Sequence, residues 1–186
     1  MGFLYLYLNN NKMIDSDYQV ILYKENFKEF LYPSHYSMVN VDIKNYTNYK
    51  SELTEICNLV KNQLPDWESA PSYHDLEKRY NSNSKSVVFY YNQNPIGWGW
   101  YNSDVRINWI DLDKKLEENW VYGGGLFVSK LIERPKDAGM INYNKWLSYC
   151  INELGYDVFC GYCHSWNIPA MNVHLGNGLI IENWYN

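Results

Sequence analysis

The sequence has 186 residues, a formal net charge of -5 and 46% hydrophobic residues. This length suits one domain, and the charge and composition do not fit a nucleic-acid-binding, disordered or membrane protein. Aromatic residues reach 18%, which suits a large core and also aromatic-lined pockets. The apolar segment Met1–Leu8 is too short for a signal peptide or a membrane span, so we expect a soluble, cytoplasmic protein.

The first half of the chain predicts two short strands, two helices and a hairpin. Period-two runs bounded by turn residues indicate the strands, and apolar residues recurring every three to four positions indicate the helices. In chain order these elements are strands 18–23 and 37–43, helices 51–65 and 72–80, and paired strands 87–91 and 96–101. Residues 104–118 carry mixed charge and predict an exposed insertion with a short helical piece at 112–116.

The second half predicts a strand, a helix, a strand, a short helix and a last strand. The first strand, 120–128, contains Gly123-Gly124-Gly125, which is typical of a bulge or of close approach by a ligand. A helix with its apolar face between Tyr143 and Leu154 follows, and Gly155 ends it. The strand at 157–162 then predicts a parallel pair joined by a right-handed crossover. Helix 167–176 and strand 179–184 complete the chain.

These elements predict an α+β fold in a single domain over residues 1–186, with residues 1–35 as an N-terminal extension. We expect a mixed, mostly antiparallel sheet with one central, splayed parallel strand pair and helices on both faces.

A basic loop lies between the glycine-containing strand and the helix that follows it. It reads Arg134-Pro135-Lys136-Asp137-Ala138-Gly139-Met140. Exposed N–H groups and the positive end of the helix dipole favour an anion at such a place, and the basic side chains add charge-assisted bonds. The loop is therefore a candidate phosphate site.

The order of elements over residues 36–186 resembles the GNAT superfamily of acyl-CoA-dependent N-acetyltransferases. Its pyrophosphate loop, Gln/Arg-x-x-Gly-x-Gly/Ala, is matched by Arg134 and Gly139, while Asp137 takes the middle glycine position. An acidic side chain there repels a diphosphate unless it points away.

The second motif, N-x-x-A-x-x-x-Y-x-x-x-G-F, is matched by Asn167, Ala170, Gly178 and apolar Leu179. The tyrosine position holds His174. In the family that tyrosine is commonly the acid that protonates the departing CoA thiolate. An imidazolium can replace it, and a neutral imidazole can still donate one hydrogen bond to the sulfur.

The resemblance also implies roles for the main chain and the loop. The N–H of Leu126 would polarise the thioester carbonyl, and Tyr122 occupies the position where some members carry a glutamate base. Glu117, Glu118 and His164 are further candidates near the acceptor. The implied cofactor-binding residues are Phe127, Val128, Arg134, Lys136, Asp137, Ala138, Gly139, Met140, Asn167 and Ala170.

The function so implied is transfer of an acetyl group from acetyl-CoA to a primary amine by direct attack. The acceptor is a small amine or a peptide amine, with no nucleic-acid or membrane partner, and a homodimer is among the alternatives. The family's last strand is not evident after residue 184, so we expect the N-terminal strand or a second subunit to supply it. We predict no metal site.

Two alternatives remain open. Asp137 and His174 both favour a degenerate GNAT fold that binds CoA or a protein partner without catalysis. Cys160 and Cys163 form a C-x-x-C, which elsewhere serves redox or zinc chemistry. This one interrupts a strand and has no second ligand pair, so we expect structural thiols.

Overall fold

The computed structural model describes residues 17–64, 71–103, 106–107, 114–115, 118–133, 135–164 and 167–185. The strands are β1 (Asp17–Tyr23), β2 (Tyr36–Val41), β3 (Lys85–Tyr91), β4 (Asn94–Asn102), β5 (Arg106–Ile107), β6 (Lys114–Lys115), β7 (Trp120–Val128), β8 (Val158–His164) and β9 (Ile180–Tyr185). The helices are α1 (Lys50–Gln63), α2 (Tyr73–Asn81), α3 (Ala138–Ser148) and α4 (Ile168–Gly176).

Seven strands form one mixed sheet in the order β2-β3-β4-β7-β8-β1-β9. Within it, β7 and β8 pair in parallel, whereas the other neighbouring strands pair antiparallel. The predicted fold class is therefore confirmed, including the single parallel pair near the centre of the sheet. β5 and β6 form a separate antiparallel ribbon.

The N-terminal strand occupies an interior position of the sheet. β1 pairs with β8 along its whole length, from Asp17 opposite His164 to Tyr23 opposite Val158, and with β9 on its other side. Of the two expected sources for a further strand, the N-terminal strand is the one observed. Residues 17–23 are thus part of the sheet rather than an extension to it.

The helices cover opposite faces of the sheet because side chains alternate along each strand. On one face, α1 and α2 bury Leu53, Ile56 and Leu76 against Trp98 and Trp100 of β4. On the other face, α3 packs on the remaining side chains of the central strands. There Tyr143, Trp146 and Leu147 of α3 share one buried cluster with Val87, Val121 and Phe159 of the strands.

Two local predictions need correction or refinement. Lys114–Lys115 is extended and pairs with Arg106–Ile107, so the predicted helical piece at 112–116 is wrong at these residues. The rest of that piece lies outside the described residues. The helix after the basic loop begins at Ala138 and passes into a π-helical turn, Tyr149–Glu153. Gly155 then follows with φ +79°, as expected for a residue that ends a helix.

The contact between β4 and β7 leaves no room for a side chain at Gly97. A Cβ there would overlap the main-chain carbonyl oxygen of Phe127, which cannot rotate away. We expect Gly97→Ala to lower the free energy of unfolding by about 1–3 kcal/mol, the usual range for overpacking. Urea unfolding followed by circular dichroism measures this.

Gly139→Ala is the matched control. A Cβ at Gly139 would have Val173 Cγ2 as its nearest neighbour, at 3.8 Å. Alanine is also better than glycine inside a helix by up to about 1 kcal/mol. Equal losses in the two variants would contradict the close approach of β4 to β7.

Candidate active site

The parallel pairing of β7 and β8 is short. Their register joins Trp120 to Val158, Val121 to Phe159 and Tyr122 to Cys160. Beyond these pairs β7 continues along β4, and β8 continues along β1. The two strands therefore diverge and open a wedge between their carboxyl ends, where ligands commonly bind in sheets with parallel strands.

A bulge lies on the β7 side of this wedge. Trp98 is opposite Phe127 and Trp100 is opposite Gly124, so β7 has one residue more than β4 in this interval. Gly125 adopts φ +61°, a left-handed conformation that glycine tolerates best. The predicted bulge is confirmed, and it interrupts the ladder at Gly125 and Leu126.

The basic loop leads into the N-terminus of α3. Asp137 is the N-cap residue, but its exposed side chain makes no capping hydrogen bond, and the first turn contains no acidic residue. Within the loop Ala138 N donates to Pro135 O, at 3.1 Å. The next N–H groups, of Gly139 and Met140, have no acceptor within the helix. This terminus has the polarity that an anion requires, and the two N–H donors belong to partly exposed residues. Lys136 beside it is exposed.

The short helix α4 packs closely on this terminus. Asn167 caps α4, because its side-chain oxygen accepts a hydrogen bond from Ala170 N at 3.3 Å. Asn177, which follows the helix, donates from Nδ2 to Met140 Sδ at 2.9 Å. A Cβ on Gly176 would collide with the Met140 side chain. Gly176 and Asn177 thus hold the end of α4 against the start of α3, and Asn167 fixes the start of α4.

His174 lies in this interface and is 7% exposed. Its Nδ1 is 2.7 Å from the hydroxyl of Tyr143, and the two rings meet edge to face. Burial lowers the pKa of His174 from 6.5 to about 4, so the ring is neutral at neutral pH. Burial also raises the pKa of Tyr143 well above 10. Of the two roles predicted for His174, the structure therefore disfavours the imidazolium acid and retains the neutral donor.

Tyr122 lies on the opposite face, at the last pair before the strands diverge. Its ring is 6.1 Å from that of Tyr162, between centroids. Burial raises the pKa of Tyr122 to about 12, so it carries its proton at neutral pH. Tyr122 therefore holds a protonated hydroxyl at this position.

Several of the predicted residues lie near one another. Leu126 and Val128 of β7 pack against the core cluster that contains Tyr143 of α3, and Val173 of α4 packs against the same cluster. The main chain from Leu126 to Val128 continues β7 beyond its last pair with β8. Arg134 and Glu117 lie outside the described residues. Glu118 is exposed in the turn before β7, and His164 ends β8.

The C-x-x-C does not form a convergent pair of sulfur ligands. Cys160 packs with Ile21 and Val158 on one face, whereas Cys163 packs with Tyr18 and Met171 on the other. Burial also raises the pKa of Cys150, in the π-helical turn after α3, so this thiol stays protonated. The geometry favours structural thiols over a redox or zinc centre.

Sequence reasoning did not find three features of this region. Tyr143 was assigned only to an apolar helix face, and its bond to His174 joins two helices that the sequence does not place together. Trp100 lies in a predicted strand and Arg79 in a predicted helix, and neither pattern indicates a role at the site.

Among the comparisons with known proteins, the solved structures give matches, and these share one fold. No protein-family model and no curated protein sequence matches the chain. A GCN5-related N-acetyltransferase from Sphaerobacter thermophilus has a similar structure, with 7% identity, a TM-score of 0.61, and coverage of 98% of this chain and 53% of that one. A GCN5-related N-acetyltransferase from Kribbella flavida has 8% identity and a TM-score of 0.55, and the match covers 98% of this chain and 61% of that one. A tandem GNAT protein from the clavulanic acid biosynthesis pathway has 12% identity and a TM-score of 0.60, and the match covers 94% of this chain and 52% of that one.

At these identities the likeness establishes the fold, which is that of the GCN5-related N-acetyltransferases. The chain spans about half to three fifths of the length of these structures. In the part of the chain that the structure describes, every helix is too short or too polar to cross a membrane.

The buried His174 makes a testable contribution to the pH dependence of stability. Its pKa is about 4 in the folded protein and 6.5 when unfolded, so the unfolded state binds the extra proton between these values. We expect the free energy of unfolding to fall by about 1.4 kcal/mol per pH unit as the pH drops from 6.5 towards 4. His174→Asn, which does not titrate but can bond to Tyr143, should remove this part of the slope.

Urea unfolding at a series of pH values measures both slopes. An NMR titration of the His174 ring gives the folded pKa directly. A value near 6.5, or identical slopes in wild type and variant, would contradict the burial of a neutral ring.

Proposed function

We propose that the protein transfers an acetyl group from acetyl-CoA to a primary amine by direct attack of the amine on the thioester. The observation that carries this proposal is the divergence of β7 and β8 at a bulge, beside an N-terminus of α3 that no acidic side chain caps. The diverging strands can take an extended pantetheine arm, and the α3 N-terminus can take a diphosphate. The similar folds support the acetyltransferase class, and the acceptor and mechanism rest on this proposal.

The cofactor's diphosphate would lie on the loop at residues 134–140. The N–H groups of Gly139 and Met140 and the side chains of Arg134 and Lys136 supply the donors and positive charge. Asp137 reduces this attraction. The exposed position of the Asp137 side chain leaves it free to turn away from the anion.

The pantetheine arm would pair with the main chain of Phe127 and Val128, as an added partner for the part of β7 that has left β8. The thioester carbonyl would accept a hydrogen bond from the N–H of Leu126, which the bulge removes from the regular ladder. An oxyanion donor of this kind typically lowers the barrier by about 3 kcal/mol.

His174 would act as a hydrogen-bond donor rather than as an acid. If Tyr143 donates to Nδ1, the ring proton resides on Nε2, and this N–H is available for the sulfur of CoA. Asn167 and Ala170 would act by fixing the start of α4 and thereby the position of His174.

A binding protein without catalysis is the second candidate. Two observations favour it: the neutral, buried His174 and the acidic Asp137 beside the diphosphate site. Such a protein would bind CoA and release no thiol with any amine.

Cofactor binding is tested by thermal unfolding with and without acetyl-CoA. A ligand at about a hundredfold over its dissociation constant stabilises the folded state by about 2.7 kcal/mol. We expect Arg134→Ala to reduce this stabilisation and Asp137→Gly to increase it, because the two changes alter the charge beside the diphosphate in opposite directions. Lys61→Ala, on the exposed side of α1, is the matched control for lost positive charge. A shift that none of these changes affects would place the cofactor elsewhere.

Catalysis is tested by thiol release from acetyl-CoA with a panel of primary amines. We expect amine-dependent release in wild type. Because His174 is neutral throughout the working range, His174→Asn should lower kcat while keeping the shape of its pH profile. If kcat of wild type instead changes with pH around 6.5 and this change is absent in the variant, His174 acts as an imidazolium acid. Binding of acetyl-CoA without release, across the whole panel, would establish the second candidate.

A further inference from the structure

The face of α1 and α2 carries an aromatic cluster beside the wedge, which we call the aromatic surface. Its members Trp100 and Tyr162 are each 7% exposed. Trp100 of β4 and Tyr122 of β7 both lie on this face, and Tyr162 of β8 is beside Tyr122. The α3 terminus and His174 lie on the opposite face. A cofactor bound from the α3 side presents its thioester in the wedge, so the attacking amine approaches from the aromatic side.

Arg79, near the end of α2, lies over this surface. Its guanidinium carbon is 5.1 Å from the centroid of the Trp100 ring. Trp100 is directly opposite Gly124, and a Cβ on Gly125 would be 3.2 Å from Trp100 Cδ1. The indole ring therefore contacts the guanidinium and also lies beside the bulge that borders the proposed thioester position.

The positive charge of Arg79 also acts on Tyr122, which lies beside the wedge. Although burial raises the pKa of Tyr122 to about 12, the positive charge of Arg79 acts on that hydroxyl in the opposite direction. The Tyr122 hydroxyl lies 2.8 Å from where a Cβ on Gly124 would be. Arg79, Trp100 and Tyr122 thus surround one small area of the sheet, immediately beside the wedge.

Arg79 forms no ion pair within the part of the chain that the structure describes. The two ion pairs found there on α2 join His74 to Glu77 and Lys78 to Asp75. Arg79 itself is exposed, and stacking on an indole face leaves the N–H edges of a guanidinium available. Those edges match a carboxylate in a bidentate arrangement.

We propose that Arg79 binds the carboxylate of an acceptor that carries both a primary amine and a carboxylate, which makes the acceptor an amino acid. The apolar part of the acceptor would lie on the aromatic surface. This inference rests on the proposed function, because it uses the same wedge as the reaction centre. Arg79 is thus a specificity-determining residue.

The test compares two acceptors that differ only in the carboxylate, L-phenylalanine and phenethylamine. We expect wild type to show a higher kcat/KM for phenylalanine. Arg79→Ala should raise KM for phenylalanine at least tenfold and leave KM for phenethylamine within twofold. Arg79→Lys, which keeps the charge but loses the bidentate fork, should give an intermediate KM. Lys78→Ala, one position away and exposed, is the matched control and should change neither value.

Binding is measured separately, by calorimetric titration of each acceptor into the protein saturated with CoA. If no amine releases thiol, the proposed function fails, but loss of phenylalanine binding in Arg79→Ala still supports the carboxylate site. If wild type acetylates phenethylamine as well as phenylalanine, or if Arg79→Ala keeps the same ratio of the two, the inference about Arg79 is wrong while the proposed function stands. Arg79→Lys serves as the test variant if Arg79→Ala fails to fold.

Discussion

The short parallel pairing of β7 and β8 is the constraint on which the candidate site depends. Each strand leaves the other after three residue pairs because each has a second partner that it follows to its end. Main-chain groups that turn away from a parallel neighbour need another partner or water. The wedge is therefore polar along its edges although the surrounding sheet is buried, which suits an extended ligand with amide groups.

The position of β1 makes this divergence compatible with a stable sheet. β1 pairs with β8 along its whole length and places β8 in the interior. Without that partner β8 would be an edge strand beyond the point of divergence, with donors and acceptors exposed on both sides. The strand furthest from the site in sequence therefore stabilises one wall of the wedge.

Local pattern was sufficient to predict most elements, and it failed where position depends on distant residues. Ser72 and Asp75 form a capping box at the start of α2, and the glycines of β7 indicate its bulge, because both signals act within a few residues. The place of β1 was one of two alternatives, since nothing local to Asp17–Tyr23 selects its partner strands. The Tyr143–His174 bond joins two helices and required their packing to be known.

Burial of His174 limits which group can supply a proton to the departing thiolate in the proposed reaction. Attack by a neutral amine forms the C–N bond and places a positive charge on nitrogen, and collapse then breaks the C–S bond and leaves a thiolate. A ring with a pKa of about 4 has no excess proton to give at neutral pH, and Tyr143 beside it holds its own proton strongly. The CoA thiol has a pKa near that of cysteine, about 8.5.

The attacking nitrogen must lose one proton and the sulfur must gain one, so the reaction balances without a proton from the protein. In the proposed reaction the histidine would orient and stabilise the departing sulfur through one hydrogen bond, and the acceptor itself would be the source of the proton. Tyr143, the uncharged partner of His174, then has a physical role. If its buried hydroxyl donates to Nδ1, the ring hydrogen resides on Nε2 and the imidazole presents a donor to the thioester.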